Sequence, residues 1–594
     1  MAACALLLFS LEYVQANYAA TADTILQVNN FELNISEADN LKYQLEINAN
    51  VSRIAALAGI NASTDFRRLG NLSSIPENGL ASRASFRHVR FGSLFFGYSC
   101  MGTDAPQLKE LAVRNKKGQI VYQFDETIQM LEMVVRAGWK PRLGLTGTPR
   151  AMVPEDAPLL TDPAYGCSNA PAINLAKETP RERMPEWWSL QDAFFKALIA
   201  HFGTDEISKW EFATWTEPDN HPHITFPAAI EQSGLHYPAV ATLLAASIDA
   251  AIENGVSIRL GNFTGNVEAA VPLVVSEILR LPRGKEYLDY IKGISVSRYV
   301  VKGKPSDIRS VLYSAGNMIA NPAVPNTPLF IDELGQLGGD NNITAFSTKP
   351  TLGGATAKTK YSLGDGMFLA MALETLFKMQ NGEVRAPSRV NIWNNYLITL
   401  PGVEKFNQFE RYLKTPVAHV AEMFDKMNGY TKVSSPLGTL VGVNHGAIKA
   451  ILLTAPDNNG DIVRRMRLGA PSAIANRLVI HGLPPNRAYQ VTFTEIGKGN
   501  GNPLGVFTDG VGDYATENMG QFVKTTKGWD FASQHWADCF YDQIAKCSWW
   551  DKAIPVNSPK ITARKLITSS TGIIRANVGS FQSLVVMVDV VPVN

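Results

Sequence analysis

SKWEFATWTEPDNHPH, residues 208–223, is the stretch whose reading decides the fold. Trp210, Phe212 and Thr214 alternate with Glu211, Ala213 and Trp215, the period-2 pattern of a buried strand. Thr216-Glu217-Pro218-Asp219 then breaks the pattern with turn chemistry, so Glu217 sits where a strand ends. A parallel barrel places its working groups at such strand exits, where variable loops stand on a rigid base. The plainer alternative is that Glu217 only hydrogen-bonds its own turn.

A second stretch repeats the arrangement. PLFID, residues 328–332, is a short apolar run introduced by proline and followed by Glu333 and the turn-forming Gly335, Gly338 and Gly339. Glu333 is again a carboxylate at a strand exit. The two carboxylates are 116 positions apart, which leaves room for three βα units between their strands. Two carboxyl groups facing each other across a barrel mouth meet the requirement for glycoside hydrolysis.

Outward from these strands, strand and helix patterns alternate. His88 to Leu94 reads as a strand, Thr127 to Ala137 as a helix with Ile128, Leu131, Val134 and Val135 on one face, and Lys140 to Leu145 as the next strand. Ser189–Phe202, Tyr237–Asn254, Val271–Leu281 and Ile308–Ala320 read as helices, and Ile258–Leu260 and Gly293–Val296 as strands. The expected fold is α/β, a (β/α)8 TIM barrel over residues 85–410 followed by a C-terminal β-sandwich. The sandwich, residues 411–594, is read from Leu440–Val443, Ile448–Thr454, Ile474–Ile480, Tyr489–Thr494 and Ser583–Val591, with an insertion around 495–553. Trp529, Trp536, Trp549 and Trp550 of that insertion either line a sugar-binding surface or form core. Residues 17–84 are expected to pack on the barrel or sandwich, with an edge strand around Thr24 to Val28.

With 594 residues, 45% hydrophobic and 18% charged, the chain has the length of two or three domains. A net charge of +1, with no basic run longer than Lys116-Lys117 or Arg464-Arg465, gives neither a nucleic-acid footprint nor a polybasic membrane patch. The apolar run Ala2–Leu11 ending in Val14-Gln15-Ala16 reads as a signal peptide over residues 1–16, too short to span a bilayer, with a buried helix as the alternative. Sequons at Asn34, Asn50, Asn61, Asn71, Asn262 and Asn342 fit a secreted or lysosomal glycoprotein. If Cys4 leaves with the signal peptide, Cys100, Cys167, Cys539 and Cys547 allow three disulfide connectivities, or four reduced thiols. No His or Cys set with metal-ligand spacing stands out, and no cofactor is expected.

SKWEFATWTEPD with the later LFIDELGQL resembles glycoside hydrolase family 39, and within it the α-L-iduronidases. The likeness extends through His88-Val89-Arg90, Ile258–Gly261, Ile294–Arg298 and Lys414–Val417, and resumes at Arg477. It implies Glu217 as general acid/base and Glu333 as nucleophile of a retaining double displacement on a terminal uronic acid or pentose residue of a polysaccharide or glycosaminoglycan. It also implies Arg90 in the sugar-binding site. His221, Arg298 and Trp393 are further candidates for substrate contact. Thr216 stands where the family usually has Asn, a donor to the substrate 2-hydroxyl, and Gly92, Tyr299 and Asn220 replace polar or basic residues of iduronidases. Two alternatives stay open beside the enzyme: a carbohydrate-binding protein on a catalytically impaired barrel, and a structural extracellular glycoprotein.

Overall fold

The computed structural model describes residues 29–34, 38–42, 47–50, 86–91, 95, 111–136, 140–154, 161–162, 166–167, 169–220, 224–301, 308–337, 363–379, 387–392, 416–433, 435, 438–453, 476–497, 499–501, 554–578 and 583–593. Eight strands close into a barrel: Ile47–Asn50, Phe86–Phe91, Lys140–Gly144, Glu211–Ala213, Ile258–Phe263, Ile294–Val301, Leu329–Leu337 and Arg389–Ile392, barrel strands one to eight in chain order. Every neighbouring pair is parallel, including the closing pair of strands eight and one.

The helices between them follow the sequence's apolar faces. Asp125–Arg136 opens with Asp125 and Glu126, whose charges suit the positive end of a helix. Thr179 and Glu182 close a capping box ahead of Pro180, and Pro185–Phe202 follows directly. His236–Asn254 ends at Gly255, whose φ of 65° is the left-handed conformation that favours glycine. Val267–Leu279, Ile308–Ala320 and Leu363–Met379 complete the series. Among the described residues no helix is long and apolar enough to cross a membrane.

The barrel begins earlier than the expected boundary at residue 85. Its first strand is the tetrapeptide Ile-Asn-Ala-Asn, residues 47–50, too short and too polar to show a period of its own; its neighbours on both sides make it a strand. The expected edge strand at Thr24 to Val28 and the tryptophans of the insertion lie outside the described residues, as do the cysteine side chains.

The remaining strands form two further sheets. One has seven strands in the order Ala38–Lys42, Thr431–Val433, Thr439–Asn444, Ala447–Leu453, Ser583–Pro592, Ala488–Gly497 and Lys560–Ile567. The other has three, Asn29–Asn34, Asn476–His481 and Ile574–Val578. Leu478, Ile480, Ile574 and Val578 of the small sheet share one buried cluster with Val441, Ile448, Val491 and Val588 of the large one. The opposite face of the large sheet, through Leu440, Ile451, Leu453, Ile496, Val585 and Met587, joins the core around the barrel helices. Buried Glu374 ties the two together, accepting from Gly438 N at 2.7 Å, Lys378 Nζ at 2.7 Å and Arg309 Nη2 at 3.2 Å.

Candidate active site

The interior of the barrel is charged. Asp332, fully buried on strand seven, faces Arg259 at 2.9 Å, Arg142 at 3.3 Å and Arg90 at 3.7 Å, arginines of strands five, three and two. Glu211 of strand four pairs with Arg142 at 2.8 Å and also with Arg389 of strand eight. Arg142 and Arg259 flank the Phe330 ring, 5.2 and 4.5 Å from its centre. Burial opposes the charge on Asp332, but the three arginines overcome it and hold the carboxyl well below the usual carboxylate range.

Strict alternation would put Asp332 and Glu333 on opposite faces of strand seven. The pairing with strand six slips between Val296 and Ser297, where Val296 faces Ile331 but Ser297 faces Glu333. This bulge turns both carboxylates inward. Glu333 accepts from Arg90 Nη1 at 2.6 Å and from the Tyr299 hydroxyl. Arg90 reaches Thr216 Oγ1 with its other terminal nitrogen at 3.1 Å, and Thr146 Oγ1 donates to the same oxygen at 3.0 Å.

Glu217 is buried on the turn that leaves strand four, with a φ of 54° that is uncommon for a side chain other than glycine. Its N–H donates to the Asn262 carbonyl of strand five at 2.6 Å, and Asn220 Nδ2 donates to its Oε2 at 3.0 Å. Tyr299 lies in the field of both Glu217 and Glu333. Burial first, then these two carboxylates, push its hydroxyl well above tyrosine's ordinary value, so it stays a donor. Arg90 is biased the other way: burial opposes its charge, and Glu333 with Asp332 more than offset that.

The structure therefore brings Glu217, Glu333, Arg90 and Thr216 to one place, Glu217 and Thr216 beyond the end of strand four, Arg90 near the end of strand two and Glu333 within strand seven. Arg298 is not aimed there. Along strand six Ser297 and Tyr299 bond to Asn262 and Glu333 of the neighbouring strands, while Val296 and Val300 join the helix-side core. Arg298 shares that outer side and donates to the Gly265 carbonyl at 3.3 Å. Burial lowers its pKa to about 10, against the pull of Asp219 and Glu268. His221 and Trp393 lie outside the described residues.

Tyr299 is the inward residue that the sequence reading set aside in favour of its neighbour, and the alternation through Ser295 and Ser297 is the signal that marks it. Asn262 is another position where the fold decides. Its sequon is fully buried and its amide donates to Ser297 Oγ at 2.9 Å, a place that holds no glycan. Among the described residues no group of three or more His, Cys, Asp or Glu is placed to hold a metal ion.

No family model matches the chain, and no curated protein does. Solved structures do. The glycoside hydrolase family 39 enzyme of Xanthomonas axonopodis pv. citri is similar at 17% identity with a TM-score of 0.55, over 95% of this chain and 97% of that one. A monomeric β-xylosidase of Caulobacter crescentus CB15 is similar at 15% identity with a TM-score of 0.54, over 96% and 100%. A bacterial orthologue of human α-L-iduronidase is similar at 13% identity with a TM-score of 0.53, over 95% and 83%. At these identities it is the architecture that is shared: the chain has the fold of glycoside hydrolase family 39 enzymes.

Proposed function

We propose that the protein is a retaining exo-glycosidase that removes terminal uronic acid or pentose residues from polysaccharides or glycosaminoglycans by double displacement. One observation carries the reading: Glu217, on the turn that leaves barrel strand four, and Glu333, within strand seven, are both buried, with the Tyr299 hydroxyl in the field of both. Buried carboxylates held by hydrogen bonds at a barrel mouth are the equipment of this chemistry.

In the first step Glu333 attacks the anomeric carbon and the glycosidic bond breaks. Glu217 gives its proton to the departing oxygen, leaving a glycosyl ester on Glu333. In the second step Glu217 takes a proton from water, the water oxygen bonds to the anomeric carbon, and the ester bond returns to Glu333 as carboxylate. Arg90 and the Tyr299 hydroxyl both donate to the Glu333 carboxylate and orient it for attack. The chemistry calls for no metal or cofactor. The similarity to a β-xylosidase and to an iduronidase orthologue supports the choice of pentose or uronic acid.

The two further sheets support a β-sandwich behind the barrel, and the expected signal peptide supports a secretory destination, outside the cell or in the lysosome. A second reading, a carbohydrate-binding protein with impaired catalysis, is favoured by Thr216, whose hydroxyl is engaged by Arg90 and Thr146. Release of 4-methylumbelliferone from α-L-iduronide, β-D-xyloside, β-D-glucuronide and α-L-arabinoside derivatives separates the two. Turnover of at least one, lost in Glu333→Gln and in Glu217→Gln, is the expected result. Sugar binding by folded protein with no turnover across the panel supports the second reading.

A further inference from the structure

We propose that Asp219 is a positioning residue for Glu217, pinning the turn that follows it to the exit of barrel strand five. The proposal rests on the reading of Glu217 as acid/base. Glu217 holds a left-handed backbone conformation, which is unfavourable for a residue with a side chain and persists only where its surroundings impose it. The surroundings here are a set of contacts to strand five and its exit. The Glu217 N–H reaches the Asn262 carbonyl, the Asn220 N–H closes the turn on the Glu217 carbonyl at 3.1 Å, and Asp219 Oδ1 accepts from Thr264 N at 2.8 Å. Arg298 of strand six clamps the same exit through the Gly265 carbonyl. Removing the Asp219 carboxylate removes the side-chain link between the turn and that exit.

The charges around Asp219 make the link more than mechanical. Glu217 acts on it from the same turn, and Arg298, itself in the field of Glu268, acts on it from strand six. Thr264 contributes only its backbone N–H. Burial raises Asp219, the Thr264 donation opposes this, and the Glu217 charge adds to the rise, so that its pKa is pushed up to about 7. Two carboxyls that repel each other's ionisation titrate as a pair, and the second proton leaves late. The pair thus keeps one proton into the neutral range, where a general acid needs it.

The test uses Asp219→Asn, which retains an acceptor for Thr264, and Asp219→Ala, which removes it. Both are assayed on aryl glycosides of the sugar the wild type hydrolyses, one with a dinitrophenol leaving group and one with a poor phenol. Expected in Asp219→Asn is an alkaline limb of kcat/KM displaced to lower pH. On the poor phenol kcat/KM falls about tenfold or more, out of the roughly 10²–10⁴-fold that a positioned general acid supplies. On dinitrophenol, which leaves without protonation, it stays within about twofold of wild type, against the same general-acid contribution. Asp219→Ala extends the loss on the poor phenol. An unmoved alkaline limb in Asp219→Asn, or an equal fall on both leaving groups, overturns the proposal. If the wild type hydrolyses nothing, the glycosidase reading fails by itself, and the coupling is read from carboxyl titration of the isotopically labelled protein. There Glu217→Gln must move the Asp219 titration to lower pH, and an unchanged titration overturns the pairing.

Discussion

At the scale of single residues, Thr216 is where this chain departs most consequentially from what its likeness to family 39 implies. Its oxygen accepts from Arg90 and from Thr146, so the hydroxyl is spent on the protein. An asparagine amide there would bring two donors and an acceptor. Thr216→Asn is expected to raise kcat/KM about tenfold, the worth of one added hydrogen bond of ~1.4 kcal/mol in the transition state, on glycosides with a 2-hydroxyl. Their 2-deoxy analogues should be unaffected, and an equal change on both would show that repacking, not a new contact, is responsible. Glu217 was legible because turn chemistry follows its strand at Pro218, whereas the turn expected at Gly335 is absent: strand seven runs on through Gly335 to Leu337, with Glu333 inside it. Arg298 drew attention as a basic residue at an expected strand exit, whereas period-2 counting puts its neighbour Tyr299 on the inner face.

At the scale of elements, strand seven does two jobs with adjacent residues. The slip opposite Val296 and Ser297 lets Asp332 face the arginines of the barrel interior while Glu333 faces Arg90 and Tyr299. Arg90 touches both, so the charge inside the barrel is linked to the carboxylate at its mouth. Asp332→Ala leaves Arg90, Arg142 and Arg259 without their shared counter-charge and is expected to destabilise by about 3–5 kcal/mol, as breaking a buried ion pair does. Denaturant unfolding measures it, and a loss below about 1 kcal/mol, the range of exposed pairs, would mean that the arginines find other partners. The bulge itself was not legible. PLFIDE carries no glycine or proline to announce it, since it arises from the register of a partner strand. Helices were read more closely. Ile308–Ala320 has the bounds expected, while Val267–Leu279 starts four residues before the expected Val271 and carries Pro272 in its interior, where the proline gives up one backbone hydrogen bond.

At the scale of the whole molecule, barrel and sheets are joined by a charged contact as well as by apolar packing. Glu374 on a barrel helix receives donors from Gly438, Lys378 and Arg309, and Lys432 Nζ donates to the Phe377 carbonyl at 3.0 Å. Glu374→Ala is expected to cost about 3–5 kcal/mol, because Lys378 and Arg309 keep their charges with no carboxylate between them. Calorimetry should then resolve separate melting of barrel and sheets, and a single transition at the wild-type midpoint would contradict this. The alternation of strands and helices from Lys140 to Asp332 made the barrel legible, as did the short strands from Thr439 onward for the sheets. Residues 29–50 were not legible, because each of their three strands is completed by a different sheet far along the chain.

That last arrangement sets a timetable for synthesis. Asn29–Asn34 pairs with Asn476–His481, Ala38–Lys42 with Thr431–Val433, and Ile47–Asn50 closes the barrel against Arg389–Ile392. At ~5–20 residues per second on the ribosome, Asn29 waits roughly 20–90 s for Asn476 to emerge. Throughout that interval the earliest residues present open strand edges to whatever else is nearby, which makes the nascent chain a natural client for chaperones. The same timetable means that a message truncated anywhere before residue 389 yields a product whose barrel cannot close.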